Sequence, residues 1–337
     1  MNILLTGGAG YIGSHTASAL LKAGNQVTIV DNFCNSHPSV ISAITEITGQ
    51  EPRLIEGDIR NAELMVNALE SGKIDAVIHF AGLKAVGESS TKPLEYYANN
   101  IQGSISLLQA MQECGVCKLV FSSSATVYGD PQYLPIDEAH PTAPTNPYGQ
   151  TKLQIEQFLQ DICKADKNFR VATLRYFNPV GAHESGLIGE NPRGTPNNLM
   201  PFISQVAAGK QKSLSVYGDD YLTPDGTGIR DYIHVMDLAQ GHLSALDYLK
   251  KNEGIATFNL GTGTGHSVFE LMRAFERQTG KKIPFEIAPR RAGDIASCYA
   301  NADKAKLALN WKSQYSLDEM CASEWQWRQS IMLGRRR

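Results

Sequence analysis

Three side chains of types that carry proton transfer, Ser124, Tyr148 and Lys152, are grouped in the middle of the chain. Tyr148 and Lys152 are four residues apart in a segment with helical periodicity, so both face the same side of one helical turn. A free phenol has a pKa of about 10, and a neighbouring ammonium group favours its ionised form. Ser124 follows a predicted strand in a run of three serines and could share a proton with a substrate hydroxyl. We therefore expect these residues to form a catalytic group that acts by acid–base chemistry.

A glycine-rich turn near the N-terminus indicates the cofactor. Gly7, Gly10 and Gly13 follow the predicted strand Ile3–Thr6 and open a predicted helix. In a dinucleotide-binding turn, the first glycine permits the tight turn, the second lets the backbone approach a pyrophosphate, and the third lets helix and strand pack closely. Asp31 ends the second strand, where a carboxylate accepts hydrogen bonds from ribose hydroxyls and repels a 2′-phosphate. The pattern predicts bound NAD, whose positive nicotinamide ring would further favour a tyrosine phenolate.

Alternating short apolar runs and longer helical patterns must position these groups. The runs predicted as strands are Ile3–Thr6, Gln26–Asp31, Arg53–Glu56, Asp75–Phe80, Lys118–Ser123 and Arg170–Tyr176. The segments with helical periodicity are Tyr11–Ala23, Asn61–Glu70, Pro93–Glu113 and Pro147–Lys164. This alternation predicts an α/β fold with a doubly wound parallel sheet of the Rossmann type. Because ligands of such sheets bind at the carboxyl ends of strands, further candidate cofactor contacts are Asp58, Ile59, Phe80, Ala81 and Gly82.

The pattern of elements changes near residue 177, which we take as the main domain boundary. Beyond it, long Gly-, Pro- and Asn-rich stretches replace the compact connections of the first half. We predict a cofactor-binding domain over residues 1–177 and a smaller, loop-rich α/β substrate domain over 178–337. Residues 231–260 are expected to return to the first domain, Asp231–Tyr248 as a helix and Thr257–Leu260 as an added strand.

The composition excludes several classes of function. The 337 residues include 31 basic and 34 acidic side chains, so the formal net charge of −3 argues against an extended nucleic-acid surface. No apolar run is long enough to span a membrane, and Met1 leads directly into a strand-like segment, so we expect a cytoplasmic protein. The six cysteines are predicted to be reduced thiols, and Cys114 and Cys117 lack a second pair, so no metal site is predicted. The short basic tail Arg335–Arg337 is expected to be frayed and solvated.

Longer motifs carry a resemblance that extends from residue 2 to about residue 327. They are TGGAGYIGSHT at 6–16, EGDIRN at 56–61, VIHFAGLKAVGES at 77–89, FSSSATVYGD at 121–130, LRYFNPVGAH at 174–183, PNNLMP at 196–201, DGTGIRDYIHVMDLA at 225–239 and APRRAGD at 288–294. On these motifs the chain resembles the extended short-chain dehydrogenase/reductases, and among them the UDP-glucose (UDP-galactose) 4-epimerase family.

This resemblance implies an isomerase that interconverts UDP-glucose and UDP-galactose. Tyr148 would take the proton of the sugar 4-hydroxyl while carbon 4 passes hydride to tightly bound NAD. The 4-keto sugar would then turn over in the site before the hydride returns to its other face. The resemblance also implies a homodimer in which Pro93–Glu113 and Pro147–Lys164 pair as a four-helix bundle. A UDP-sugar is the expected ligand, with neither nucleic acid nor membrane as a partner.

Further site residues are implied by the resemblance, position by position. On the cofactor side they are Tyr11, Ile12, Asn32, Asn35, Ser36, Lys84, Asn99 and Phe177. On the substrate side they are Asn178, Asn198, Leu199, Tyr217, Arg230, Arg291 and Asp294. Tyr217 would lie against the uracil, and Arg230 and Arg291 would clamp the diphosphate. Asp294 would accept a hydrogen bond from the uridine ribose.

Cys298 departs from the pattern of the family. Members restricted to UDP-glucose and UDP-galactose tend to hold a bulky tyrosine at the equivalent position, whereas members that accept 2-acetamido sugars hold a cysteine or another small residue. A thiol in place of a phenol leaves room for an acetamide in the wall of the hexose pocket. Our hypothesis is that the chain also interconverts UDP-GlcNAc and UDP-GalNAc.

Other functions on the same scaffold stay open at this point. A nucleotide-sugar 4,6-dehydratase normally carries Asp-Glu immediately after the hydroxyl residue at the strand end, where this chain has Ala125 and Thr126. A uronate 4-epimerase is a second alternative. A non-catalytic NAD-binding regulator is a third, although such proteins often lose the Tyr or the Lys, and this chain keeps both.

Overall fold

Strands and helices alternate regularly through the first half of the chain. The computed structural model describes residues 1–194, 196–291 and 293–334, so the tail Arg335–Arg337 lies outside the described residues. The strands of this half are β1 (Asn2–Thr6), β2 (Gln26–Asp31), β3 (Arg53–Glu56), β4 (Ala76–His79), β5 (Lys118–Ser124) and β6 (Arg170–Tyr176). The helices are α1 (Tyr11–Lys22), α2 (Ser39–Thr48), α3 (Ala62–Gly72), α4 (Val86–Thr91), α5 (Pro93–Tyr96), α6 (Gly103–Glu113) and α7 (Pro147–Ala165).

The second half has shorter strands and longer connections. Its strands are β7 (Asn178–Val180), β8 (Leu214–Tyr217), β9 (Ile229–His234), β10 (Gly254–Leu260), β11 (Gly265–Ser267), β12 (Phe285–Ala288) and β13 (Ser297–Cys298). Its helices are α8 (Leu199–Ala207), α9 (Val235–Leu249), α10 (Val268–Thr279), α11 (Asp303–Ala308) and α12 (Leu317–Met332). Within the described ranges, no helix combines the length and the apolar character needed to cross a membrane.

Seven parallel strands form the central sheet, in the order β10-β6-β5-β4-β1-β2-β3. Side chains of α1, α2 and α9 form the apolar core on one face, and side chains of α3, α6 and α7 form it on the other. Strands buried on both faces are apolar along their whole length, as in Ile3, Leu4 and Leu5 of β1, none of which is exposed. The predicted doubly wound α/β fold is confirmed.

The strand order places a crevice beside β1. The chain runs from β1 through β2 to β3 on one side, and from β4 through β5 to β6 on the other. Because the connections diverge here, the loops after β1 and β4 separate at the carboxyl ends of the strands, where ligands of open parallel sheets bind. The glycine-rich turn after β1 therefore opens into this crevice.

The segment 231–260 differs from its prediction at its first residues. Asp231–His234 belongs to β9, which pairs with β7, β11 and β13 in a smaller sheet, so the helix that we predicted from Asp231 begins only at Val235. The Asp231 carboxylate is buried and accepts hydrogen bonds from the backbone N–H groups of Thr262, Gly263 and Ala300. These partners are distant in sequence, so local periodicity does not report them. Helix α9 and strand β10 do pack with the first sheet.

The predicted helix Pro93–Glu113 is interrupted by a wider turn. A π-helical segment, Tyr97–Gln102, separates α5 from α6. It carries the buried Asn100, whose side chain bonds both backbone groups of Leu83, at 2.8 and 3.0 Å, and the Thr151 hydroxyl at 3.0 Å. The Asn100 side chain thus connects the loop after β4 to helix α7. π-Bulges of this kind are frequent at functional sites.

Candidate active site

A large cavity of about 980 Å³ opens over the carboxyl ends of the central strands and extends between the two halves of the chain. Of the residues predicted for the site, those that line it are Gly7, Gly10, Tyr11, Ile12, Gly13, Asp31, Asn32, Asn35, Ser36, Ile59, Phe80, Ala81, Gly82, Lys84, Asn99, Ser124, Tyr148, Lys152, Phe177, Asn178, Asn198, Leu199, Tyr217, Arg230, Arg291, Asp294 and Cys298. The predicted cofactor, catalytic and substrate residues therefore share one cavity.

Asp58 is the predicted residue that does not line the cavity. Its carboxylate takes two hydrogen bonds from the Arg60 guanidinium, at 2.7 and 2.9 Å, and one from the Asn32 amide at 3.3 Å. The hydrogen bonds from Arg60 lower its pKa to about 2. Asp58 is thus engaged in its own loop, while its neighbours Gly57 and Ile59 face the cavity.

The glycine-rich turn has the shape that a dinucleotide pyrophosphate requires. Gly7 has a φ of +69°, and a β-carbon there would lie 2.8 Å from the backbone nitrogen of Ala81. A β-carbon on Gly13 would lie 2.5 Å from the Gly7 carbonyl oxygen. Helix α1 begins after Gly10 with no side chain capping its N-terminus. Its first N–H groups therefore face the cavity unshielded, at the positive end of the helix dipole, where an anion binds favourably.

Asp31 organises the loop that follows β2. Its buried carboxylate accepts hydrogen bonds from Ala9 N–H at 3.0 Å, Phe33 N–H at 2.9 Å and the Ser36 hydroxyl at 2.8 Å. A carboxylate has about four acceptor sites, so one of them is left for a ribose hydroxyl. The sequence predicted that Asp31 binds a ribose, but it did not predict that Asp31 holds this loop in place. The three donors come together only in the folded structure.

Ser124, Tyr148 and Lys152 meet where β5 ends and α7 begins. Asn146 caps α7 by accepting from Gly149 N–H at 2.9 Å, which fixes the first turn that carries Tyr148. The Lys152 ammonium nitrogen donates to the Ser122 carbonyl at 2.7 Å and lies 6.0 Å from the centre of the Tyr148 ring. The Thr126 hydroxyl donates to the Ser124 oxygen at 3.0 Å. The strand end and the first helical turn thus hold the three groups at one point.

Burial sets the protonation of this group. It raises the pKa of Tyr148 above its ordinary value, and the hydrogen bond with Ser124 acts in the opposite direction. It lowers the pKa of Lys152 to about 8, and the Glu156 carboxylate opposes that shift. In the protein itself, burial therefore outweighs the effect that we expected from Lys152, and Tyr148 is a neutral phenol at pH 7.

The predicted substrate residues converge at the other end of the cavity. Arg291 bonds Asp294 at 2.8 Å, and Arg230 approaches the other oxygen of the same carboxylate at 4.0 Å. The Arg291 guanidinium carbon also lies 4.8 Å from the centre of the Tyr217 ring, which is 42% exposed. Two guanidinium groups and an exposed aromatic face are suited to bind a diphosphate and a planar base.

Glu190 is a site residue that sequence reasoning missed. It lies in the long connection between β7 and α8, lines the cavity, and is only 4% exposed. One of its oxygens accepts from the Lys84 ammonium at 3.2 Å and from the Asn198 amide at 2.7 Å. Glu190 therefore connects Lys84, which was predicted to bind the cofactor, to Asn198, which was predicted to bind the substrate. No spacing or periodicity in the sequence signals this, because the three residues belong to different elements.

The chain is similar to known proteins over nearly its full length. Over residues 4–323 it matches a family model described as GDP-mannose 4,6 dehydratase. It is 54% identical over 334 residues to a UDP-glucose 4-epimerase of Bacillus subtilis, covering 99% of this chain and 98% of that one. A structure of UDP-glucose 4-epimerase from Stenotrophomonas maltophila, with bound NAD and formylated UDP-arabinopyranose, has a TM-score of 0.97 and 53% identity over 99% of both chains. The enzyme from Bifidobacterium longum, in complex with NAD⁺ and UDP, has a TM-score of 0.96 and 51% identity over 99% of this chain and 100% of that one.

The family model is named for a dehydratase, whereas the relatives are epimerases. The residues after Ser124 distinguish these two activities. A dehydratase needs an acid and a base to eliminate water, and Ala125 and Thr126 supply neither. The relatives at 51 to 54% identity are epimerases over nearly the full length of both chains. On this evidence the chain belongs to the UDP-glucose 4-epimerase family, NAD-dependent isomerases of the extended short-chain dehydrogenase/reductase type.

Proposed function

We propose that this chain interconverts UDP-glucose and UDP-galactose with a tightly bound NAD. The single observation that carries the proposal is that Ser124, Tyr148 and Lys152 share one cavity with the uncapped N-terminus of α1 and with the Arg230–Asp294–Arg291 cluster. One end of this cavity suits a dinucleotide, the other suits a nucleoside diphosphate, and the proton-transfer group lies between them. A hexose linked to that diphosphate would therefore reach Tyr148.

The chain's own residues divide the work of the reaction. Bound NAD supplies the reversible oxidation and reduction at carbon 4 of the hexose. The turn at Gly7, Gly10 and Gly13 would hold its pyrophosphate, and Asp31 its adenosine ribose. Ser124 positions the 4-hydroxyl and relays its proton to and from Tyr148. The Lys152 ammonium stabilises the tyrosine oxygen whenever that oxygen carries negative charge.

Anchoring at the diphosphate allows both faces of the sugar to be used. Arg230 and Arg291 would hold the charged end of the substrate by charge-assisted hydrogen bonds, which are short and strong. Asn178, Asn198 and Leu199 line the cavity nearby. The hexose itself would make weaker contacts, so the keto sugar can rotate about its linkage while its nucleotide end stays bound.

Incubation of the purified protein with UDP-galactose, without added NAD, tests the proposal. We expect UDP-glucose as the product, and NAD released on denaturation. The Tyr148→Phe variant should lose on the order of 10²- to 10⁴-fold in kcat, because phenylalanine keeps the ring but lacks the oxygen that takes the proton, and it should keep its NAD. A matched control is Tyr96→Phe, a buried phenol outside the cavity that bonds Glu88.

Each alternative function predicts a different result in that assay. A dehydrated keto sugar would identify a 4,6-dehydratase. Turnover of UDP-glucuronate, but not of UDP-galactose, would identify a uronate epimerase. Retained NAD with no turnover of any of these sugars would identify a regulator.

We extend the proposal to the 2-acetamido sugars UDP-GlcNAc and UDP-GalNAc. Cys298 ends β13 opposite Arg230, lines the cavity and is 8% exposed, so its side chain belongs to the wall of the site. It packs in a small apolar cluster that includes Tyr128 and Phe177. Burial raises its pKa to about 11, so it is a neutral thiol that leaves the space of a missing phenol ring to the substrate.

The Cys298→Tyr variant tests this extension. We expect it to abolish turnover of UDP-GalNAc and to leave turnover of UDP-galactose within about threefold, because the added ring fills only the space of the acetamide. Cys298→Ser is the matched control and should keep both activities. Loss of both activities in the tyrosine variant, or of neither, would reject the role of this position.

We also propose that the chain acts as a homodimer in the cytoplasm. The helices Pro93–Glu113 and Pro147–Lys164 are the proposed contact, and Ile105 on α6 is 42% exposed despite being apolar. Light scattering should give the mass of a dimer for the wild type and of a monomer for Ile105→Asp, because burying an unpaired carboxylate in the contact is costly. The cytoplasmic location rests on the six free cysteines.

A further inference from the structure

A buried ion pair lies directly beneath the catalytic group and has no part in the chemistry described so far. Glu156 of α7 takes hydrogen bonds from Arg175 of β6 at 3.0 and 2.6 Å. The two side chains are only 3% and 8% exposed. Buried pairs of this kind gain little stability over apolar residues of similar volume, so stability alone is a weak reason for it.

Glu156 also binds the strand that carries Ser124. The Ser123 hydroxyl donates to its carboxylate at 2.5 Å. Ser123 stands opposite Arg175 in the β5–β6 register, between Ser122, whose carbonyl accepts from Lys152, and the catalytic Ser124. One carboxylate thus fixes α7 to two neighbouring strands at the point where Ser124, Tyr148 and Lys152 meet.

The same carboxylate is one helical turn beyond Lys152, on the same face of α7. Burial lowers the pKa of Lys152 to about 8, and Glu156 is the group that opposes this shift. Among the described residues on other elements, the titratable group that interacts with Lys152 is His79 on β4, whose pKa burial lowers to about 3. His79 is neutral at pH 7, and so is the Tyr148 phenol on the same helix, whereas Arg175 beyond Glu156 is a cation paired with that carboxylate.

We propose that Glu156 is a positioning residue for the epimerase reaction, one that keeps Lys152 charged beside Tyr148 and holds α7 against the strand end that carries Ser124. This inference deepens the proposed function and rests on it for its catalytic meaning. Glu156 touches neither the substrate nor the cofactor cavity, and it acts through Lys152.

The Glu156→Gln variant tests the proposal, because glutamine keeps the shape and an acceptor for Ser123 but removes the charge. Carbon NMR of protein labelled at the lysine ε-carbon, with the signal assigned by its loss in Lys152→Met, measures the protonation of Lys152 without turnover. We expect the pKa of Lys152 to fall by about one unit. The alkaline limb of the kcat profile for UDP-galactose should move to lower pH by a similar amount, with KM within about twofold.

Two further variants separate this role from a purely structural one. Glu156→Gln/Arg175→Met removes both buried charges and should fold at least as well as the single variant. It should lower the Lys152 pKa in the same direction but by less, because the opposing charge of Arg175 is removed as well. Glu324→Gln breaks a comparable buried pair, Glu324–Arg328, far from Lys152, and should leave the alkaline limb in place.

The outcomes are distinguishable from a failure of the proposed function. If the wild type does not turn over UDP-galactose, the epimerase proposal fails, while the NMR titration still decides whether Glu156 keeps Lys152 charged. If the Lys152 pKa and the alkaline limb stay where they are in both Glu156 variants, and only thermal stability falls, the positioning role is rejected.

Discussion

The carboxylate of Glu190 connects the part of the site predicted to bind the cofactor with the part predicted to bind the substrate. It is buried and shared between the Lys84 ammonium and the Asn198 amide. In Glu190→Gln, the amide oxygen can still accept from both donors, but the negative charge that pairs with the Lys84 ammonium is lost. We expect KM for UDP-galactose to rise by about two- to threefold, because the Lys84 side chain is 39% exposed and solvent compensates part of the lost ion pair. Steady-state kinetics and the NAD content of the purified variant measure the effect.

Glu184→Gln is the matched control for that prediction. Glu184 lies in the same connection between β7 and α8, but its side chain is exposed. Removing its charge should leave KM unchanged, since exposed charges contribute little. Equal KM values for Glu190→Gln and the wild type would mean that Lys84 and Asn198 hold their positions without the carboxylate.

Which site residues could be predicted depends on where their partners are in the sequence. Gly7, Gly10 and Gly13 were predictable because their spacing is fixed by one turn, and Tyr148 with Lys152 because both lie on one helical turn. Glu190 was not, because Lys84 is 106 residues away from it. Its role depends on how two distant loops meet, and no local pattern encodes that.

At the scale of elements, strand β1, its glycine turn and helix α1 form a tightly packed unit of the site. A β-carbon on Gly13 would lie 2.5 Å from the Gly7 carbonyl oxygen and 2.8 Å from the α-carbon of Gly8, and both are backbone atoms. In Gly13→Ala the helix must move away from the strand. We expect the free energy of unfolding to fall by about 1–3 kcal/mol, the usual cost of overpacking, and bound NAD to be lost. Urea denaturation and the NAD content measure the two effects.

Gly87→Ala on α4 is the matched control for stability. An added β-carbon there meets no atom within 4 Å. Because alanine is the better helix former by about 0.5–1 kcal/mol, this variant should be as stable as the wild type or slightly more stable. A Gly13→Ala protein with the same urea midpoint as Gly87→Ala would show that the turn can adapt to a side chain.

The elements themselves were predicted well where local pattern decides them. Strands β1 to β6 lie within one residue of their predicted bounds, because an apolar strand between two turns has a local signal. The failures are β9, held in the smaller sheet through Asp231 by distant loops, and the π turn before α6, held by Asn100. The helices that were not predicted at all are α2, α4, α8, α10, α11 and α12, and the strands are β7, β8, β11, β12 and β13. In each of the first two cases a buried polar side chain with distant partners overrides the local preference.

At the scale of the whole molecule, the buried titratable groups determine how stability depends on pH. Burial lowers the pKa values of five of the eight histidines: to about 3 for His15 and His79, and to about 4 for His183, His234 and His242. Burial raises the pKa values of three carboxyl groups: that of Asp231, that of Asp237 to about 6 and that of Glu324 to about 7. The two sets act in opposite directions on acidification.

We expect the free energy of unfolding to fall as the pH is lowered from 7 toward 4. Between pH 6.5 and their folded pKa values, the five histidines bind protons in the unfolded chain but not in the folded one, so acid favours unfolding. Asp231, Asp237 and Glu324 bind protons more readily in the folded chain, so they oppose this loss, but the five histidines outnumber them. Urea denaturation at a series of pH values should therefore give lower midpoints at pH 5 than at pH 7. In Glu324→Gln, which lacks one opposing group, the fall should be steeper. A midpoint that is equal or higher at pH 5 would mean that the three carboxyl groups dominate the proton balance of folding.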